Sequence, residues 1–288
     1  MTPARGGLLA YACRLSRPLF WIYTGGTYVV GFALGMPDWH AFLMPAYMAA
    51  LLYFFFPANL FIYGVNDLFD QDTDRQNPKK ECREYRYSVP DRDRLVLLIG
   101  FSLACTVLLA SAVPDSRLAL VLAGFLFLSA SYSAPPLRFK RLPFLDFASN
   151  VLYAMPGVYG YLLASGNWPP AWLLLGAFFH VAAMHLFSAV PDIECDRAAG
   201  ITTTAVFLGR ERSLCLCLVF WSCLSLIVIL ASDVRPLSLL VLAYPVVPAL
   251  LLLDREIPID RAYWRLPAIN TALGGLVFTA VSVAKGGF

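Results

Sequence analysis

The sequence predicts an all-α, polytopic membrane protein, and its composition and pattern lead to that fold class. Of its 288 residues, 59% are hydrophobic and only 14% are charged, about half the charged share of a typical soluble domain. The charged residues cluster between long apolar runs. These runs are continuous rather than alternating, which argues against a membrane barrel and leaves helices, which satisfy their own backbone in lipid. An ordinary soluble enzyme and a nucleic-acid-binding protein are excluded.

Nine apolar runs approach or reach the roughly 17–25 residues that a membrane-spanning helix needs. We therefore predict nine transmembrane helices in a bundle around a central cavity. The predicted spans are Pro18 to Gly35, Ala41 to Tyr63, Leu95 to Val113, Leu118 to Ser133, Phe144 to Ala164, Ala171 to Val190, Leu214 to Ala231, Pro236 to Leu253 and Leu266 to Ala284.

The basic residues predict the orientation of these spans. With nine spans, 19 of the 22 Lys and Arg residues fall at the N-terminus and in the loops that follow even-numbered spans. Cytoplasmic loops carry such an excess of positive charge. We therefore predict a multi-pass protein of the cell membrane whose N-terminus and even-span loops are cytoplasmic.

The first of these loops opens with an acidic cluster that follows the second span directly. At about 100° per residue, a helical continuation places Asn66, Asp67, Asp70 and Asp74 on one face and Asp72 on the opposite face. Like charges on one helical face repel each other. The pattern therefore favours a bound cation, with Asn66 beside it facing the substrate.

A second acidic cluster follows the sixth span on the same side of the membrane. Asp192 and Asp196 are four residues apart and therefore neighbours on a helix, while Glu194 points away. All-oxygen ligands favour Mg²⁺ or Mn²⁺, and Mg²⁺ combines one or two carboxylates with substrate phosphate oxygens. Two facing clusters thus predict a metal-bound diphosphate, with Asp67, Asp70, Asp74, Asp192 and Asp196 as the metal ligands.

A basic segment after the fourth span supplies the complementary charge. Pro135 and Pro136 stop the helix, and cations after it would clamp a diphosphate and stabilise it as it leaves. Plain positive-inside anchoring explains the same residues equally well. The predicted diphosphate contacts are Arg138, Lys140 and Arg141, joined by Arg17 and Arg75.

Three other interpretations of the acidic residues compete with a metal site. A solvated acidic loop does not require the one-face spacing at both places. An EF-hand loop beginning at Asp70 would have Arg75 where a sharp turn needs glycine. A transporter would place its polar site near the middle of the bilayer, whereas these carboxylates all lie at one interface, which favours an enzyme.

With these motifs, the chain resembles the UbiA superfamily of intramembrane prenyltransferases. That family is similar in its NDxxDxxxD motif, in its DxxxD motif and in a YSxxP…KR segment. The resemblance covers nearly the whole chain and implies a single domain, residues 1–288, with motif loops at about 64–94, 133–143 and 191–213. The matching residues are Asn66, Asp67, Asp70 and Asp74, then Asp192 and Asp196, then Tyr132, Ser133, Pro136, Lys140 and Arg141.

Three further stretches resemble the lycopene elongase branch of this superfamily, namely Asn77 to Tyr87, Pro136 to Asn150 and Met184 to Arg210. That resemblance implies Mg²⁺-dependent transfer of a C5 prenyl group from dimethylallyl diphosphate to the ends of lycopene, with or without hydration, in C50 carotenoid synthesis. The implied partners are a prenyl diphosphate, a hydrophobic polyene and the lipid bilayer, without nucleic acid. The alternative is an aromatic acceptor, as in quinone, haem or chlorophyll synthesis.

The resemblance also suggests catalytic roles for Asp70 and Tyr132, and the position of Asp146 suggests it as a third catalytic candidate. Tyr132 would help to neutralise the diphosphate oxygens. Asp146 lies just inside the fifth span, where an ionisable residue is a functional candidate, although it equally fits a helix cap or a partner for Arg141. His185 lies about two helical turns before the second acidic cluster and is either a base or an ordinary core histidine.

Overall fold

The computed structural model describes residues 7–70, 91–231 and 235–286, and every regular element in these ranges is helical. Short 3₁₀ turns interrupt several of the helices. The helices of the first part are α1 Leu8–Leu15, α2 Gly25–Gly35, α3 Pro45–Phe55, α4 Pro57–Phe69, α5 Arg92–Ala112, α6 Ser116–Ser133, α7 Leu145–Ala148 and α8 Met155–Ser165. Those of the second part are α9 Ala171–Ala189, α10 Ile193–Ala198, α11 Thr204–Ala231, α12 Arg235–Ser238, α13 Ala243–Leu253 and α14 Ile259–Ala284.

Six helical segments of the described chain are long and apolar enough to cross a membrane. The first, fifth and eighth predicted spans are also helical, but 3₁₀ turns break them into shorter pieces. The count of nine spans therefore stays a prediction. The six segments are Pro45–Phe69, Arg92–Ala112, Ser116–Ser133, Ala171–Ala198, Thr204–Ala231 and Ile259–Ala284.

A proline breaks the second of the predicted spans between α3 and α4. Pro57 lacks the N–H that would continue the helical ladder, so the preceding carbonyls need other donors. The side-chain amide of the fully buried Asn59 donates to the carbonyls of Phe54 and Phe55 at 3.1 and 3.0 Å and to Thr24 Oγ1 at 2.7 Å. A polar side chain thus supplies hydrogen bonds to the carbonyl groups at the break inside an apolar bundle. The new helix, α4, then leads to the acidic cluster.

The buried apolar side chains form two main cores. The first core joins α2, α3, α4, α5, α6 and α8, and the second core joins α9, α10, α11, α13 and the start of α14. Aromatic rings fill much of the first core; Tyr28, for example, stacks on Tyr47 and Phe54 with ring centroids 5.6 and 5.3 Å apart. The first acidic cluster ends a helix of the first core, and the second cluster ends a helix of the second.

Glycines bring α2 and α8 into backbone contact within the first core. A Cβ at Gly31 would overlap the carbonyl of Gly157, and a Cβ at Gly160 would lie 2.5 Å from the carbonyl oxygen of Tyr28. Small residues of this kind allow close helix packing in membranes, where van der Waals contact replaces the hydrophobic effect between helices. We call this contact the glycine seam; Gly31, Gly35, Gly157 and Gly160 form it.

We expect Gly31→Ala to destabilise the protein, because the added methyl group collides with backbone that cannot rotate away. Overpacking of this kind costs roughly 1–3 kcal/mol. Gly100→Ala is the matched control, because Gly100 lies on a helix and a Cβ there meets nothing within 4 Å. Thermal unfolding of both variants in detergent tests the seam; equal melting temperatures would contradict it.

Candidate active site

The first acidic cluster lies at the end of α4 and is buried. Asp67 is 0% exposed and Asp70 4%. The helix ends at Phe69, earlier than the sequence predicts, but the Asp70 N–H still donates to the Asn66 carbonyl at 3.0 Å. Asn66, Asp67 and Asp70 therefore keep helical spacing, as predicted. Asp72, Asp74 and Arg75 lie outside the described residues.

Arg17 pairs with the first of the two buried carboxylates. Its Nη2 lies 2.9 Å from Asp67 Oδ1, and its guanidinium stacks over the Tyr63 ring at 4.5 Å from the ring centroid. The backbone of Arg17 has a φ of 50°, in the left-handed region. Arg17 directly precedes the 3₁₀ turn Pro18–Tyr23, which begins the first predicted span. This unusual backbone directs a cation into the site from a distant part of the sequence.

The basic segment after α6 meets the second buried carboxylate. Lys140 Nζ forms an ion pair with Asp70 Oδ1. Ser133 Oγ lies 2.6 Å from Asn66 Oδ1 and 2.9 Å from Asp70 Oδ2. The predicted basic segment therefore contacts the first acidic cluster directly.

The other two cations of this segment differ in their surroundings. Arg138 is half-buried, and its Nε is buried with no acceptor among the described residues. Its φ of 44° again lies in the left-handed region. Arg141 is exposed. A buried guanidinium N–H without an acceptor is costly, which makes Arg138 the cation of this segment that most needs an anionic ligand.

The second acidic cluster follows a break at the end of α9. A 3₁₀ turn, Val190–Asp192, leads into α10. Asp192 and Asp196 are half-buried, and Thr203 Oγ1 lies 3.5 Å from Asp196 Oδ2. Glu194 is 84% exposed and pairs with Arg197 at 2.7 Å. The orientation predicted for Glu194, away from the site, is confirmed.

Tyr132 lies between the elements that carry these groups. Its hydroxyl is within electrostatic range of Asp70, Asp146 and Asp196, which belong to three different segments. It also lies 3.4 Å from His185 Nε2, with the two rings edge to face at 5.7 Å between centroids. One carboxylate of each acidic cluster, Asp70 and Asp196, therefore lies near Tyr132. The contact between Tyr132 and His185 joins α6 to α9, and sequence spacing alone does not predict that these two helices meet.

Asp146, predicted as a catalytic residue, forms hydrogen bonds at the start of α11. It is 0% exposed. Its Oδ2 accepts the backbone N–H of Thr204 at 2.7 Å, and its Oδ1 accepts the Thr204 hydroxyl, which in turn accepts the Phe144 N–H at 2.6 Å. Asp146 thus caps the start of α11 and does not pair with Arg141. No sequence signal links Asp146 to a partner 58 residues away.

We expect Thr204→Val to lower stability, because it leaves the Phe144 N–H and one oxygen of the buried Asp146 without their partner. A buried polar group left in this way costs about 1–3 kcal/mol. Thr202→Val is the control, because Thr202 is exposed in the same Thr-Thr-Thr stretch. Melting temperatures in detergent decide the matter; an equal change in both variants would contradict the capping role.

The donor chemistry of the clusters suits a hard divalent cation. Within the described ranges, no three Asp, Glu, His or Cys side chains lie together as a metal-binding group. Asp67 and Asp70 instead contact Arg17 and Lys140. The oxygens of Asn66 and of the Asp residues in both clusters are nevertheless the ligands that Mg²⁺ prefers. The residues therefore fit magnesium by ligand type.

Comparison with known proteins gives one consistent result. Residues 19–265 match the UbiA prenyltransferase family. The chain is 42% identical to a lycopene elongase/hydratase of Haloarcula japonica over 98% of this chain and 94% of that protein. It is 44% identical to a lycopene elongase/hydratase of Haloferax volcanii over 95% of this chain and 90% of that protein.

Solved structures give the same fold. The chain is similar to a UbiA homologue from Archaeoglobus fulgidus bound to DMAPP and Mg²⁺, with a TM-score of 0.70 and 26% identity over 94% of this chain and 99% of that one. It is also similar in fold to an apo UbiA homologue from Aeropyrum pernix, with a TM-score of 0.71 and 16% identity over 93% of this chain and 98% of that one.

Proposed function

Because this chain belongs to the UbiA prenyltransferase family, we propose that it transfers a C5 prenyl group from dimethylallyl diphosphate to the ends of lycopene. The new ends form with or without the addition of water. The observation that carries the chemistry is the ion pair between Lys140 of the basic segment and Asp70 of the first acidic cluster. The choice of acceptor is supported by relatives at 42% and 44% identity that are named lycopene elongase/hydratase.

The donor diphosphate would lie between the acidic clusters and the basic segment. Asp67, Asp70, Asp74, Asp192 and Asp196 are the residues that would hold Mg²⁺, and the bound ion would neutralise charge on the leaving diphosphate. Arg17, Lys140 and Arg138, with Arg75 and Arg141, would contact the diphosphate oxygens. Arg17 and Lys140 already lie at the carboxylates, so each can turn from a carboxylate to a phosphate oxygen.

The surrounding bundle would protect the reaction from water. We propose that one domain, residues 1–288, crosses the cell membrane nine times around a central cavity, with the N-terminus and the acidic clusters on the cytoplasmic side. The donor's head then lies at the interface while its prenyl group and the polyene lie among apolar side chains. Exclusion of water favours attack by the acceptor over hydrolysis of the allylic cation.

Membranes from cells that make lycopene, with and without this gene, test the proposal. With dimethylallyl diphosphate and Mg²⁺, we expect carotenoids one and two C5 units heavier than lycopene, with or without added water. EDTA should stop their formation and Mg²⁺ should restore it. Prenylation of an added aromatic acid with no change in lycopene would instead identify an aromatic acceptor and refute the proposal.

A further inference from the structure

The proposed reaction needs a proton acceptor that neither the acidic clusters nor the basic segment supplies. When the terminal double bond of the acceptor attacks the donor carbon, positive charge develops on the acceptor carbon next to the new bond. This cation loses a proton to form an alkene, or adds water that then loses a proton. Either outcome requires a base close to the diphosphate, within hydrogen-bond reach of the proton that it removes.

The described carboxylates near Tyr132 already have other contacts or roles. Arg17 binds Asp67, Lys140 binds Asp70, and Thr204 binds both oxygens of Asp146. Asp192 and Asp196 are proposed as metal ligands. Histidine is the side chain that most readily exchanges a proton near neutral pH, and the chain has three.

Only one of these histidines contacts the site. His40 is exposed and lies beside Asp38, before α3. His180 packs against Tyr244, with ring centroids 4.7 Å apart, and precedes Asp192 by roughly 18 Å of helix. His185 precedes Asp192 by only about 10 Å and contacts Tyr132. Ser133, which follows Tyr132 in the chain, has its hydroxyl oxygen 2.9 Å from Asp70 Oδ2.

We propose that Tyr132 and His185 together accept the proton released in the prenyl transfer. The Tyr132 hydroxyl oxygen takes the proton from the acceptor carbon, or from the water that adds to it, as its own proton passes to His185 Nε2. The electrons of the broken C–H bond form the new double bond; in the hydration branch, those of the broken O–H bond stay on oxygen. Each turnover thus releases one diphosphate and one proton. This inference rests on the proposed function.

The geometry suits such a relay. The Tyr132–His185 distance of 3.4 Å is longer than an ordinary hydrogen bond, and catalytic contacts often shorten only when substrate is bound.

The test measures released diphosphate and carotenoid product in the same reaction, with purified protein in liposomes that contain lycopene, Mg²⁺ and dimethylallyl diphosphate. In His185→Gln and in Tyr132→Phe we expect product to fall about 100-fold, within the range for a lost general base. Diphosphate release should persist, because the allylic bond still breaks. The double variant should be no worse than either single one, since residues that act as a unit are not additive.

His180→Gln is the matched control on the same helix and should keep both activities. If His185→Gln lowered product and diphosphate release in equal proportion, the histidine would be structural and the inference would be wrong. Additive losses in the double variant would overturn it as well. Wild-type protein that releases diphosphate without extending lycopene would refute the proposed function itself, independently of every variant.

Discussion

Asp70→Asn should reduce prenyl transfer by about 10³-fold, the loss typical when one charge-stabilising group is removed from an active site. The asparagine has nearly the same shape but no charge. It removes a proposed metal ligand and leaves Lys140 without the buried carboxylate that it contacts. Ser133, whose hydroxyl lies 2.9 Å from Asp70, loses a charged acceptor. Product formation at saturating donor and Mg²⁺ is the measurement.

Asp91→Asn serves as the control for Asp70→Asn. Asp91 lies at the far end of the loop that begins with the first acidic cluster, and it pairs loosely with Arg94 at 3.8 Å, so its loss should leave the rate almost unchanged. Gel filtration and melting temperature show whether each variant is folded. If folded Asp70→Asn kept more than half of the wild-type rate, the charge of Asp70 would have no part in the reaction.

The second large effect is expected for Asp192→Asn. Asp192 lies in the 3₁₀ turn that follows α9, and its half-buried side chain belongs to the second acidic cluster. Loss of this carboxylate would weaken the part of metal binding that the second acidic cluster is proposed to supply. We expect a rate reduced by about 10²-fold or more, partly recovered by a higher Mg²⁺ concentration.

Glu194→Gln is the matched comparison for Asp192→Asn, because it removes a carboxylate two residues away. Glu194 is 84% exposed and contacts only Arg197 among the partners described for it. We expect its rate to match the wild type at every Mg²⁺ concentration. Similar losses in both variants would show that total acidic charge, rather than one face of the helix, governs activity.

Local patterns predicted the two acidic clusters well. Both lie at helix ends, where spacing of three or four residues decides which side chains share a face. Asn66, Asp67 and Asp70 keep that spacing, and Glu194 points outward as expected. The family and the enzyme class were also predicted, against a transporter, because three ordered motifs lie in loops that the positive-inside rule assigns to one side.

Contacts between distant segments could not be predicted in this way. The Asp146–Thr204 bond joins residues 58 positions apart, and Tyr132 meets His185 across 53. Helical periodicity specifies the face on which a residue lies, but not the helix that packs against that face. The 3₁₀ breaks in three predicted spans were missed for a related reason: hydropathy measures how apolar a run is, and a broken run is as apolar as a continuous one.

The glycine seam has a consequence for how a long polyene reaches the site. Where two helices touch backbone to backbone, they cannot part without losing contacts along their whole length, so α2 and α8 should move as one rigid body. Arg17 precedes the 3₁₀ turn Pro18–Tyr23 that leads into α2, and Asp146 lies in α7, which a second 3₁₀ turn joins to α8. Opening toward the lipid is therefore expected at the boundary between the first and second cores, where Tyr132 meets His185. Lateral entry there would bring the end of the polyene directly to the allylic carbon of the donor.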